Sequence, residues 1–181
     1  SQNRKNTIEL DQTLKTKEIK IIGLYDPNDY DLDINMWSNS DGDQLKNIFS
    51  KLDKLKLSDD AKELMNISIL TNAFSPQNNI SNEEFLDFKS NWLIKNSDLD
   101  LIETYLTKNQ LINSHPRLTR YFLDENLSMT KIEKVCELFE KNLEVIDDEY
   151  ISKYNIYCLI KNGRIEEAQL IYDLKKELGF K

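Results

Sequence analysis

The sequence predicts an all-α fold, a short array of antiparallel helical hairpins preceded by a non-helical N-terminal arm. Three observations carry this expectation. Leu93-Ile94-Lys95-Asn96-Ser97-Asp98-Leu99 returns 66 residues later as Leu159-Ile160-Lys161-Asn162-Gly163-Arg164-Ile165. Both stretches end one amphipathic segment, turn over about three residues and open another. Midway, Phe122 through Met129 breaks and restarts in the same manner, so the period is near 33 residues, the mark of stacked helical units that bury their apolar faces on one another. Finally, only four Gly and three Pro occur in 181 residues, too few for an all-β chain full of tight turns.

Residues 1–18 carry few apolar anchors (Ile8, Leu10 and Leu14) and read as a flexible or loosely docked arm. Residues 19–42 form an extended acidic and aromatic segment expected to dock on the helices. Its apolar run, Lys20 to Tyr25, ends at the turn signal Asp26-Pro27-Asn28. The helical-hairpin domain is assigned to 43–181. Leu45, Ile48, Phe49, Leu52 and Leu55 fall at spacings of three and four, one stripe of a helix, with Ser40 and Asp43 as its capping pair. A second helix starts at Ser58 and carries Leu64, Met65 and Ile69 towards the break at Ser75-Pro76. Ser81 and Glu84 have capping-box spacing before Phe85, Phe88 and Trp92. Shorter stripes follow, with Leu99, Ile102, Tyr105 and Leu106, then Leu118, Tyr121 and Phe122 after His115-Pro116. Thr130 and Glu133 are expected to cap a helix bearing Ile132, Val135, Cys136 and Phe139. Asp147 opens the next, with Ile151, Tyr154 and Cys158, and Gly163 ends it by adopting positive φ. In the final helix, Ile165, Ala168, Ile171, Tyr172 and Leu178 are expected to face inward. That helix still presents an apolar face with no polar capping helix after it, implying a further repeat, a partner or self-association.

Composition narrows the function. Net charge is −8 and the isoelectric point near 4.8, so phosphate backbones and anionic lipid are repelled. No apolar run approaches the roughly 18 residues that span a bilayer. Nucleic acid and direct membrane insertion are therefore not expected. The start, Ser1-Gln2-Asn3-Arg4-Lys5-Asn6, lacks the apolar stretch of a signal peptide and is either a mature end or a cut made for expression. There is no Gly-rich phosphate loop and no Cys/His cluster with zinc spacing, so no cofactor or metal is expected. Asp29-Tyr30-Asp31-Leu32-Asp33 opens like a calcium loop, but Ile34 stands where the sharp turn needs Gly and Ser40 where a bidentate Glu belongs. His115 is the sole histidine, and nothing along the chain nominates a nucleophile or carboxylate to pair with it. No catalytic residue is assigned, and the chain reads as a non-enzyme. Tyr30 and Trp37 are the candidate partner contacts, Trp37 having the alternative role of a packing staple.

Two resemblances add expectations. Gly163, Ala168 and Tyr172 match the turn glycine, small residue and later aromatic of a tetratricopeptide repeat. Ser152 and Ile156 depart from its first-helix pattern, so residues 149–178 resemble it best. The order Met36-Trp37-Ser38 before a helix, residues 93–105, Val135-Cys136-Glu137, Tyr157-Cys158-Leu159 and Asn162-Gly163-Arg164 is similar, over residues 20–178, to a family of uncharacterised alphaproteobacterial exported helical proteins. That resemblance implies a periplasmic location, with the cytoplasm as the alternative. Cys136 and Cys158 lie on apolar stripes of consecutive antiparallel helices, roughly level across a short turn near Val145. They are either a bridge or two buried thiols acting as small hydrophobes; export, as implied by the resemblance, favours the disulfide. The expected function is a non-catalytic scaffold or binding module of the bacterial cell envelope that engages a protein or peptide. The alternative is a helical accessory region of a larger enzyme that processes envelope polymers and carries its catalytic part outside this chain.

Overall fold

A computed structural model describes residues 21–180. After a 3-10 turn at Pro27–Tyr30 come eight helices: α1 (Gly42–Leu52), α2 (Asp59–Leu70), α3 (Asn82–Asn96), α4 (Leu99–Asn109), α5 (Pro116–Ser128), α6 (Ile132–Glu140), α7 (Glu149–Lys161) and α8 (Ile165–Glu177). Among the described residues there is no sheet, only isolated parallel bridges joining Tyr25 to Thr71 and Asp41 to Asn78.

The expected spacing of about 33 residues appears in the helix starts. Helices α4, α6 and α8 begin at residues 99, 132 and 165, and the turns before them place Ser97, Thr130 and Gly163 in the left-handed region, at φ +53°, +58° and +77°. At the latter two turns the chain closes the same way. Lys131 N–H donates to Asn126 O and Arg164 N–H to Leu159 O, the six-to-one bond that satisfies a helix's last carbonyls. Packing follows suit. Helix α5 touches α4 and α6, its neighbours in sequence, and also α3 and α7, while α4 also meets α6. A single apolar core runs along the array, with Phe85, Leu93, Ile102, Leu106, Leu118, Phe122, Val135 and Ile151 almost fully covered.

Several expected helix ends move. Asp41, not Ser40, caps α1, accepting from Gln44 N–H at 3.0 Å. Ser58 caps α2 as expected, and Ser81 and Glu84 form both halves of the capping box on α3. Thr130 does not cap α6; it supplies the left-handed turn, and Lys131 holds the cap position without a side-chain bond. Asp148 replaces Asp147 at the start of α7, because it alone reaches Ile151 N–H. Helix α2 stops at Leu70, well short of Ser75-Pro76, because its continuation pairs with the N-terminal segment. Leu24 N–H donates to Leu70 O, Asn72 N–H to Tyr25 O and Phe74 N–H to Ile34 O.

The segment from residue 21 to 42 is thus docked, while residues 1–18, the expected arm, lie outside the described residues. Side chains of α3 and α4 hold it from the other flank. Lys89 donates to Ile22 O (2.5 Å), Lys108 to Leu24 O (2.6 Å), and the Asn109 amide both accepts from Gly23 N–H and donates to Gly23 O. Gly23 is required there, since a Cβ would stand 2.6 Å from Leu70 O and 2.7 Å from Asn72 N.

Candidate functional site

Cys136 on α6 and Cys158 on α7 are bridged, with sulfurs at bonding distance and Cα atoms 5.2 Å apart. Both are buried. The connection between their helices is longer than expected, running over residues 141–148, yet the level register holds.

His115 stands at the head of α5 and acquires a neighbour that sequence spacing did not reveal. Ser90 Oγ on α3 lies 2.8 Å from His115 Nδ1, and the Tyr105 ring of α4 packs on the imidazole with centroids 5.9 Å apart. A serine beside a histidine has the composition of a nucleophile and its base. The surroundings argue otherwise. Ser90 and His115 are 2 % and 3 % exposed, and His115 Nε2 is buried with no hydrogen-bond partner among the described residues. Burial, with the nearby Lys89 charge, lowers the imidazole to about 4, leaving it neutral at physiological pH. Lys89, buried above Phe85, is itself lowered to about 8. The cluster joins α3, α4 and α5 and offers a substrate no approach.

Trp37 and Tyr30 rest on different neighbours. The Trp37 ring packs on Phe85 of α3 at 5.7 Å with Nε1 covered, a contact between the N-terminal segment and α3 and not within the start of α1. Tyr30 is partly exposed and meets Tyr25 edge-on at 5.6 Å. Among the described residues no group of three or more His, Cys, Asp or Glu is gathered to hold a metal, and no helix is long and apolar enough to cross a membrane.

The most exposed apolar surface lies at the other end of the array. Helix α8 packs chiefly on α7 and buries only a narrow stripe. Ala168 and Lys175 are covered, whereas Ile165, Tyr172 and Leu178, expected to face inward, are half or more exposed. The sequence pattern overstated the buried face because apolar residues surround much of the helix while a single neighbour covers one side. Between α8 and the α6–α7 loop runs a groove of about 460 Å³, lined by Phe139, Leu143, Val145, Leu159, Leu170 and Leu174. Leu143 is 88 % exposed, Leu170 70 % and Val145 63 %.

The loop wall of this groove is fixed from outside. The Gln110 amide donates to Lys141 O and accepts from Leu143 N–H; the Asn113 amide donates to Val145 O and accepts from Asp147 N–H. Ile146 between them is buried, and its carbonyl accepts from both Ser152 Oγ and Lys175 Nζ. Ser152, buried on α7, thus helps to hold the loop. On the opposite flank of α8, Phe180 folds over Lys175 beside Tyr172 and Ile156, leaving a smaller cavity of about 300 Å³. Sequence reasoning found the apolar face of α8 but missed Gln110 and Asn113, whose role depends on a loop 31 to 34 residues away.

No protein-family model, no curated protein and no solved structure matches this chain.

Proposed function

We propose that the chain is a non-catalytic binding module of the bacterial cell envelope, tetratricopeptide-like in its repeat, and that its groove receives a row of apolar side chains from a protein partner. The observation that carries this is the groove itself, with exposed Leu143, Leu170 and Leu174 beside a loop already held in place by Gln110 and Asn113. Leucines left in water are costly, and a pre-ordered wall spares a partner the cost of ordering it. The buried Cys136–Cys158 bridge fits an oxidising compartment such as the periplasm. The sealed Ser90–His115 pair fits a chain without catalysis of its own. A photo-reactive residue placed at Leu170 tests the reading in native envelope fractions. It should capture a defined protein, the capture should vanish on adding Leu174→Asp, and the same probe at Ile48 of α1 should capture nothing. Equal capture from both positions would refute it.

A further inference from the structure

The charges around the groove identify the kind of segment it takes. Glu140 and Glu144 stand on the loop side, and Glu167 on α8 lines the groove near Arg164. Helical spacing of 100° per residue sets Glu166 and Glu177 within about 40° of Leu170, along the outer edge of the same face. Arg164 is the cation lining this groove among the described residues, and its guanidinium is engaged by Glu167 at 2.8 and 2.5 Å. An apolar trough is thus bordered on both sides by carboxylates. A second copy presenting the same face would set Glu166 and Glu177 against an identical acidic rim, which disfavours symmetric pairing through α8.

We infer that the occupant is a cationic amphipathic helical segment of a protein partner, its apolar row seated on Leu143, Leu170 and Leu174 and its lysines or arginines against Glu140, Glu144, Glu166 and Glu177. This rests on the groove reading above and specifies its partner. A helix in a groove anchors by residues at spacings of three and four, and complementary charge sets its choice among apolar helices and speeds its encounter.

Two 18-residue peptides test it, each with leucines at i, i+3, i+4 and i+7, one carrying lysine and the other glutamate at all remaining positions. Fluorescence anisotropy with the full chain should show the lysine peptide binding at least tenfold tighter at low salt, with the advantage shrinking as salt rises. Glu166→Lys with Glu177→Lys should reduce or reverse the preference, and Leu170→Ser with Leu174→Ser, both at exposed positions, should abolish binding of either peptide while circular dichroism stays unchanged. Equal binding of the two peptides, lost in the leucine variant, would overturn the charge inference and leave the groove standing. Binding indifferent to the leucine variant, or no binding at all, would overturn the inference and count against the groove as well. A dimer in sedimentation equilibrium that dissociates on Leu170→Ser would make the occupant a second copy and overturn the inference too.

Discussion

Thr130 and Gly163 occupy the same left-handed turn position, two residues before the first residue of α6 and of α8, at φ +58° and +77°. A branched Cβ is strained in that region and glycine is not. Thr130 Oγ1 bonds only the adjacent Met129 O, which is little compensation. Thr130→Gly should therefore stabilise the chain by about 1 kcal/mol, and Gly163→Thr should destabilise it by about as much or more. A Cβ at Gly163 would meet nothing within 4 Å, so backbone strain alone is tested there. Urea denaturation of the two variants measures both; Thr130→Gly leaving the midpoint unmoved or lower would contradict the expectation.

Removing the bridge should cost more. Cys136 and Cys158 are 22 residues apart, and in the chain-entropy account a loop of that size contributes about 3 kcal/mol. Replacing both by alanine should lower the denaturation midpoint accordingly while keeping the helical signal, because each sulfur sits in an apolar contact that alanine partly retains. Alkylation under denaturing conditions, followed by intact mass, reports the native state of the pair. Protein isolated from its own compartment should resist alkylation until reduced.

The buried imidazole predicts acid sensitivity. His115 is lowered to about 4 by burial and by Lys89, against an ordinary value near 6.5. Between those values the unfolded chain binds a proton that the native chain refuses. The contribution of His115 is therefore complete above about pH 6.5, falls as pH drops through the window, and is smaller by about 3 kcal/mol below pH 4. His115→Gln should flatten that part of the stability curve, whatever its effect on the absolute value. Lys89, lowered to about 8, works in the alkaline range: stability should rise from about pH 8 towards 10.5, because the unfolded chain there holds the extra proton. Chemical denaturation across pH 3.5–10 checks both limbs.

The docked N-terminal segment depends on one close approach. Gly23→Ala would drive a Cβ into the backbone of residues 70–72, so the segment must shift and loosen its bonds to Asn109, Lys89 and Leu70. The expected loss is roughly 2 kcal/mol or more. Amide exchange over residues 22–38 should quicken, while α5 to α7 remain protected. Unchanged exchange there would show that the segment accommodates the methyl.

The sequence by itself determined the local and periodic features. Its apolar spacing marked the helices, Ser58 and the Ser81–Glu84 pair marked two starts, and the recurrence at residues 93 and 159 implied the period that α4, α6 and α8 obey. It also brought Cys136 and Cys158 level, because two amphipathic stripes joined by one turn have few ways to meet. These features depend on neighbours within a turn or a hairpin, where sequence distance and spatial distance agree. Tertiary structure alone decided the rest. Ser90 meets His115 across 25 residues, Asn109 holds Gly23 across 86, and Gln110 and Asn113 brace the wall of a groove contributed by α6, α7 and α8. The same limit explains the misjudged face of α8. Hydrophobic spacing marks which residues a helix would bury, but how many it does bury depends on how many helices stand beside it, and at the end of the array that number is small.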